Sequence, residues 1–414
     1  MPAHLSSSKK ILFWGIAVLV VLGFLELSAW ITFEHFVPHR IKSRTAFRGP
    51  EDYIAAYKKA RERRLASHER SSGTKETGNQ SSLKMFHPVL GWDYPPGIEY
   101  EDAHGVWYRH GNQGERRTCT SYQTDLIATY GDSFAYSSDV GDCETWETYL
   151  ARDIKANVLN FGVAGYGTDQ AYLKYELNDA RVSTPIVMLC ILPDDINRIV
   201  NIFRTFYAPE DILALTKPLY RKKGGRFELV PNPLSRADDV AKLENREFVR
   251  KLGKLDYWYQ KDMNRPPLRF PYLLSLIGWR DTVLKYEEAE PLSIMCHIVD
   301  LFVQTAQTRG SVPVIVLMPH RELVAETMRN QVSRVENLVT YLKARQYRFI
   351  DLIRVMAKMH PTEEQLDAWY HEHATPQGNR ITARIISDYL ERNALLRDDA
   401  RRADSSRRNP RSRP

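Results

Sequence analysis

The stretch LIATYGDSFAY, Leu126 to Tyr136, changes character in its middle. Its first residues have the apolar, strand-length pattern of a buried β-strand, and Gly131, Asp132 and Ser133 then form a typical turn sequence. A tight turn at a strand end can lift a serine out of the sheet, where its hydroxyl could act as a nucleophile. Serine alone is a poor nucleophile, so the rest of the chain must provide a base and donors for an oxyanion.

Short apolar runs alternate with segments of helical period from this stretch to near the C-terminus. The predicted strands are Leu126–Tyr130, Val158–Val163, Ile186–Leu192, Val312–Met318 and Arg348–Leu352. The predicted helices are Glu144–Lys155, Thr168–Ala180, Leu292–Thr308, Glu326–Arg345 and Pro376–Asn393. This alternation predicts an α/β domain with a parallel sheet covered by helices on both faces. Ligands of such sheets bind beyond the carboxyl ends of the strands, so the residues after each strand are the site candidates.

Two later segments could complete a site around Ser133. NFGVAGYG, residues 160–167, ends the second strand with three glycines, and a glycine such as Gly165 lets a backbone N–H approach a substrate oxygen closely. HEHATPQGN places His373 immediately before a predicted helix. Each segment alone is typical of turns and surface loops, whereas the ordered set of serine, glycine turn and histidine favours nucleophilic catalysis.

The N-terminus carries the apolar run ILFWGIAVLVVLGFLELSAWIT, Ile11 to Thr32, with Glu26 as its one charged residue. At 1.5 Å per residue, about 22 residues span about 33 Å, which matches the hydrocarbon core of a bilayer. The run is too long for the apolar core of a signal peptide, so it predicts an uncleaved transmembrane helix. Basic residues lie on both sides, Lys9 and Lys10 before it and Arg40, Lys42, Arg44 and Arg48 after it. Counted alone, these charges place the C-terminal bulk in the cytoplasm.

The 414 residues are 43% hydrophobic and suffice for one large domain. We predict a tail at 1–10, a transmembrane helix at 11–33, a linker or stalk at 34–85, the α/β domain at 86–395 and a disordered basic tail at 396–414. Residues 197–290 break the alternation and are interpreted as an insertion at one edge of the sheet. The formal net charge of +7 is concentrated in the last segment, which is either a solvated end or an anchor on an anionic surface. No nucleic-acid-binding motif is present, so no nucleic-acid partner is predicted.

The four cysteines fall into two classes. Cys190 and Cys296 lie in apolar patterns and are interpreted as core thiols. Cys119 and Cys143 flank the first predicted strand and could pair in an oxidising compartment, although spacing alone cannot give the geometry.

The HEH triplet, His371 to His373, raises the question of a metal site. Two histidines at this spacing can face one side of an extended segment, but no third ligand is placed by the sequence. We therefore predict neither a metal nor a cofactor.

These segments resemble the sequence blocks of the SGNH/GDSL hydrolase family. YGDSFAYS resembles the first block, with Ser133 at the nucleophile, and NFGVAGYGTDQ resembles the second, with Gly165 at the oxyanion glycine. HATPQGNRITARII resembles the last block, with His373 at the base. The resemblance covers roughly residues 86–390 and includes the HPVLGWDYPPG arm of membrane-anchored, exported members. It implies a flavodoxin-like three-layer sandwich and a serine esterase.

Two positions depart from the family pattern. The third block normally places an asparagine in the oxyanion hole, and the matching stretch LPDDINR has Asp194 there. A charged carboxylate repels an oxyanion, so either burial protonates Asp194, or Asn197 serves as the donor, or the hole is weakened. The last block normally has an aspartate three residues before the histidine, where this chain has Tyr370. Two arrangements of the base His373 are then possible. In a Ser-His dyad, a backbone carbonyl or the Tyr370 hydroxyl orients the imidazole. In a triad, Asp367, six residues upstream, orients it.

Three functions are compatible with these residues. The first is an esterase that removes O-acyl groups such as acetyl from extracytoplasmic polysaccharide through an acyl-Ser133 intermediate. The second is a polysaccharide O-acetyltransferase that uses the same serine and histidine, and the third is a catalytically impaired binding or assembly protein. The resemblance to exported members places the domain outside the cytoplasmic membrane, against the flanking charge count.

Overall fold

A five-stranded parallel sheet lies at the centre of the α/β domain. It is seen in a computed structural model, which describes residues 7–36, 49–71, 85–102, 104–178, 182–209, 211, 213–263 and 286–396. The strands are β1 (Asp125–Tyr130), β2 (Asn157–Asn160), β3 (Ile186–Ile191), β4 (Val312–Leu317) and β5 (Phe349–Asp351). All five predicted strands are therefore present, and the largest difference is that β2 ends at Asn160 rather than Val163.

The strand order explains where a site can form. Across the sheet the order is β5-β4-β3-β1-β2, which is the flavodoxin-like order. The chain leaves β1 toward one edge, returns from β2, and crosses to β3 on the other side of β1. The connections therefore diverge above β1 and β3, and the carboxyl ends of these two strands border a crevice.

Side chains of the central strands alternate between two apolar clusters. In β3, Val187 and Leu189 belong to one buried cluster, whereas Met188 and Cys190 belong to the other. Successive strand residues point to opposite faces, so both faces of the sheet are covered, as the apolar runs predict. Cys190 is buried, in agreement with its interpretation as a core thiol.

Helices cover the sheet close to the predicted positions. Those of the α/β core are Trp146–Ile154, Thr168–Leu177, Ala289–Thr308, Arg321–Asn330, Glu336–Ala344, Leu352–Ala357, Glu363–Trp369 and Pro376–Arg392. The single helix predicted over Glu326–Arg345 is wrong, because the structure has two helices there. Gln331 adopts a left-handed conformation with φ 56°, which ends the first of them.

The N-terminal helix spans Ser7–Phe36. Its segment Lys10–Thr32 is 23 residues long, has a mean hydropathy of 2.3 in its most apolar window, and buries none of that window within the protein. It is the one helix in the described part of the chain that is long and apolar enough to cross a membrane.

The predicted linker at 34–85 contains a helix, Pro50–Ser71, which corrects that prediction. Tyr53, Tyr57 and Ala60 of this helix are buried, and the Tyr53 hydroxyl donates to Asp262 at 2.7 Å. Their spacing forms an apolar stripe on one helix face, which the polar average of the segment conceals. The polar residues 72–84 and the basic tail at 397–414 lie outside the described residues.

Smaller elements surround the crevice. The arm before β1 forms two hairpins, Phe86–His87 with Gly91–Trp92 and Glu99–Glu101 with Trp107–Arg109. The predicted insertion between β3 and β4 contains short helices, Asp195–Arg198, Arg204–Tyr207, Arg246–Gly253 and Tyr257–Met263, and a hairpin of Leu219–Lys223 with Arg226–Val230. Residues 264–285 of the insertion lie outside the described part.

Candidate active site

Ser133 begins a one-turn helix directly after β1. Asp132 caps this helix, since its side chain accepts from the Phe134 amide at 2.9 Å. The second oxygen of Asp132 accepts from Nη1 of Arg198 at 2.8 Å, and this bond holds the turn in place. The turn presents the Ser133 side chain at the carboxyl edge of the sheet with 8% of its surface exposed.

The structure brings Ser133 and His373 together. His373 Nε2 lies 2.9 Å from Ser133 Oγ, although the two residues are 240 positions apart. The histidine precedes the helix Pro376–Arg392, whose N-cap Thr375 accepts from the amide of Gly378. A base within hydrogen-bond reach is what a serine needs to become a nucleophile.

Asp139 contacts the other side of the imidazole. Its Oδ2 lies 2.6 Å from His373 Nδ1, and this hydrogen bond lowers the pKa of the Asp139 carboxyl below its usual value. Asp139 adopts a left-handed conformation with φ 69°, and its amide donates to the Tyr108 hydroxyl at 3.0 Å. Sequence reasoning missed this residue, six positions after Ser133, because it sought the carboxylate near the histidine.

The two side chains that the sequence suggested as partners of His373, Tyr370 and Asp367, form hydrogen bonds to other residues. Tyr370 is buried and its hydroxyl lies 3.0 Å from Sδ of Met356. Asp367 accepts from Nε of Arg321 at 2.6 Å on the exposed surface. The group that contacts Nδ1 of His373 is instead Asp139.

The turn after β3 places Asp194 against a histidine that the sequence did not indicate. Oδ2 of Asp194 lies 3.1 Å from Nε2 of His320. Burial raises the pKa of Asp194, but the hydrogen bond and charge of His320 outweigh it, and the pKa lies below its usual value. A lowered pKa favours the ionised form of Asp194 and so opposes the first of the three alternatives, in which burial protonates it.

Asn197, the alternative donor, is buried in the same turn. Its Nδ2 donates to the backbone oxygen of Asp194 at 3.1 Å, and the backbone carbonyl of Asn197 accepts from the Trp258 indole at 2.8 Å. These bonds hold the turn together. A role for Asn197 toward an oxyanion stays a prediction.

Gly165 has a backbone conformation that favours glycine. Its φ is +79°, and a Cβ added there would lie 2.8 Å from Cδ1 of Leu213. The Trp92 indole donates to the carbonyl of Ala164 at 3.0 Å and so fixes the turn from the N-terminal arm. A role for the Gly165 amide as an oxyanion donor likewise stays a prediction.

Arg116 holds the segment that carries Asp139. Its buried guanidinium donates to the carbonyls of Tyr136 at 2.7 Å and Ser137 at 2.6 Å, and to Asp142 at 3.1 Å. The loop between nucleophile and acid is therefore fixed by one cation at several points, which favours a constant position of Asp139.

A disulfide between Cys119 and Cys143 closes the same region. The pairing that the sequence left open is therefore formed. Its Cα atoms are 4.8 Å apart, and the bond links two segments that flank β1.

Replacing both Cys119 and Cys143 with serine is expected to lower the free energy of unfolding by about 3 kcal/mol, because the cross-link restricts the unfolded chain over a separation of 24 residues. Chemical denaturation of the non-reduced variant and parent measures this loss. Cys296→Ser, which alters a free cysteine, is the control. Equal stability of the double variant and the parent would show that the bond contributes nothing in solution.

Glu147 lies buried beneath the nucleophile loop. Its carboxyl accepts from the hydroxyls of Ser137 at 3.3 Å and Thr129 at 3.4 Å, and burial raises its pKa to about 8. A carboxyl with a raised folded pKa stabilises the protein below its unfolded pKa, and that stabilisation is lost as the pH rises through the folded value.

Glu147→Gln should therefore gain stability relative to the parent as the pH rises from 6 to 9, because pH 6 lies below the folded pKa of Glu147 and pH 9 lies above it. The expected gain between these pH values is on the order of 2–3 kcal/mol, since one pKa unit corresponds to about 1.4 kcal/mol. Denaturant unfolding of both proteins at the two pH values measures it. Parallel stability curves would contradict a neutral Glu147.

Within the described ranges, no group of three or more histidine, cysteine, aspartate or glutamate side chains is arranged to hold a metal ion. His373 of the HEH triplet instead bonds Ser133 and Asp139.

Comparisons with known proteins give a faint likeness. No family profile matches the sequence, and no curated protein gives a significant match. The fold is similar to that of a candidate lipolytic protein of the G-D-S-L family from Desulfitobacterium hafniense, at 11% identity and a TM-score of 0.33, over 64% of this chain and 100% of the other. It is also similar to a member of the lipolytic protein G-D-S-L family from Veillonella parvula, at 12% identity and a TM-score of 0.32, over 65% and 97% of the two chains. These values carry no activity or substrate over to this chain, so the residue roles below rest on the site's geometry.

Proposed function

We propose that the protein is a serine ester hydrolase in which Ser133 is the nucleophile, His373 the base and Asp139 the acid that orients it. The observation that carries the proposal is the continuous contact from Ser133 Oγ to His373 Nε2 at 2.9 Å and from His373 Nδ1 to Asp139 at 2.6 Å. The same three groups in the same order form the machinery of serine hydrolases on unrelated folds.

In the proposed reaction, Ser133 Oγ attacks the ester carbonyl while His373 Nε2 accepts its proton. Asp139 holds Nδ1–H and stabilises the imidazolium. The tetrahedral oxyanion is held by the Ser133 amide, which has no acceptor in its own helix, and by the Gly165 amide. His373 then protonates the leaving alcohol, and a water molecule activated by the same imidazole releases the acid from Ser133.

The proposed substrate is an extracytoplasmic polysaccharide that carries O-acetyl esters. Two features support a location outside the cytoplasm. The apolar segment Lys10–Thr32 can anchor the chain, and the disulfide between Cys119 and Cys143 is typical of oxidising compartments.

Covalent labelling tests the proposal directly. A fluorophosphonate probe should modify Ser133 of the full chain, as mapped by peptide mass spectrometry, and His373→Gln should abolish labelling because the serine loses its base. Incubation with an acetylated polysaccharide should release acetate. Labelling elsewhere, or none, would refute the proposed nucleophile, and acetyl groups appearing on an acceptor glycan instead of in water would replace hydrolysis with transfer.

Protease added to intact spheroplasts is expected to digest the domain that follows the membrane helix. The reason is the proposed orientation, which the disulfide supports and the flanking charges oppose. Immunoblots before and after lysis measure the protection, with a cytoplasmic protein as control. Digestion only after lysis would place the domain in the cytoplasm.

A further inference from the structure

A second histidine pairs with carboxylates at the same edge of the sheet. His320 follows β4, and its Nε2 lies 3.1 Å from Oδ2 of Asp194, which follows β3. Its Nδ1 lies 2.9 Å from Oε2 of Glu322, whose side chain is largely exposed. The mechanism above uses none of these three residues.

Phe134 lies near both His320 and the proposed base His373. It follows Ser133, and its ring centroid is 5.0 Å from that of His373 and 6.4 Å from that of His320. The two imidazoles are therefore both close to the ring of the residue that follows the nucleophile.

Arg198 connects the turn after β3 to the nucleophile turn by a second route. Its Nη1 lies 2.8 Å from Asp132, which precedes Ser133, and 2.8 Å from Asp195, which follows Asp194. Asp194 consequently belongs to a turn that is bonded to the nucleophile turn, at the strand-order crossover where the crevice forms.

The hydrogen bonds of His320 define its charge. Carboxylates only accept hydrogen bonds, and a histidine donates from both ring nitrogens when it carries both protons. Both ring nitrogens of His320 lie within hydrogen-bond distance of carboxylate oxygens, an arrangement that an imidazolium satisfies by donating to both, and the ring lies against Asp194. An unpaired carboxylate at this edge would repel the negative charge that develops on a substrate oxygen.

We propose that His320 is a positioning residue that pairs with Asp194 and keeps its negative charge from opposing the oxyanion formed at Ser133. This inference rests on the proposed ester hydrolysis. Asp194 stands where the third block has an asparagine, whose amide carries no charge. With His320 offsetting the charge of Asp194, the site can remain effective without that amide.

A double-mutant cycle on the full chain in detergent tests the inference with p-nitrophenyl acetate. His320→Gln is expected to lower kcat about thirtyfold with KM within about twofold, a loss below the hundredfold or more that follows removal of a direct oxyanion donor. Asp194→Asn alone should change kcat by less than about threefold. In the Asp194→Asn background, His320→Gln should then cost less than about threefold, since no carboxylate is left to neutralise.

Rescue by Asp194→Asn distinguishes charge pairing from a packing role, which the amide would not repair. Equal losses from His320→Gln in both backgrounds would overturn the inference, and so would a loss of thirtyfold or more from Asp194→Asn alone. If His320→Gln does not fold, His320→Lys takes its place. A lysine retains the cation and should keep kcat within about fivefold, and a larger loss in the folded lysine variant would also overturn the inference.

Ser133→Ala, assayed in parallel, separates the two proposals. Full activity of Ser133→Ala would refute ester hydrolysis at this site, whereas an inactive Ser133→Ala with additive effects of His320 and Asp194 would refute the pairing role alone.

Discussion

Ser133→Ala is expected to lower kcat/KM for p-nitrophenyl acetate by at least about a thousandfold, the scale found when a serine nucleophile is removed. The hydroxyl that contacts His373 at 2.9 Å would be absent, and no acyl-enzyme could form. The substitution removes one atom from a side chain that reaches the crevice, so the fold should be unchanged. Kinetics, with circular dichroism as the fold check, measure both effects.

Ser138→Ala is the matched control, because Ser138 is a nearly buried serine in the same loop. Its activity should stay within about threefold of the parent. Equal turnover by Ser133→Ala and the parent would exclude Ser133 as the nucleophile and leave the non-catalytic alternative.

Asp139→Asn is expected to lower kcat about ten-thousandfold, the size of effect seen when the aspartate of a serine triad is amidated. An amide at this position can donate to the histidine and so favours the wrong tautomer, and it cannot stabilise the imidazolium that forms during the reaction. Its backbone conformation should persist, because asparagine tolerates the left-handed region as well as aspartate does. Steady-state kinetics on the folded variant measure the loss.

Asp367→Asn provides the comparison for this prediction. Asp367 pairs with Arg321 on the surface, so its amide variant should change turnover less than about tenfold. A small effect of Asp139→Asn together with a large effect of Asp367→Asn would show that the 2.6 Å contact of Asp139 does not operate in catalysis and that the acid lies near the histidine in sequence.

The sequence by itself determined the α/β architecture. Apolar runs such as Ile186–Leu192 and Val312–Met318 have the length of strands buried on both faces of a sheet, and their alternation with helical segments identifies them as parallel strands. The carboxyl ends of those strands define one edge of the sheet. Ser133 and Gly165 could be identified as site candidates because each follows a strand at that edge. The histidine before the last helix could be identified because its segment resembles a family block.

Local pattern also failed where average composition hides spacing. The helix Pro50–Ser71 falls within the predicted linker or stalk, and its many charged residues conceal the buried face formed by Tyr53 and Tyr57. The helix predicted over Glu326–Arg345 was wrong because a left-handed residue such as Gln331 leaves no signal in hydrophobic period.

Only the tertiary structure decided which acid holds His373 and which base neutralises Asp194. Asp139 and His373 are 234 positions apart, and His320 and Asp194 are 126 apart. Each pair forms because separate segments end at one edge of the sheet, and the loop bearing Asp139 is bent by a left-handed backbone and held by Arg116. Periodicity records which face a residue occupies within its own element, whereas a hydrogen bond between elements depends on packing angles that no single segment contains.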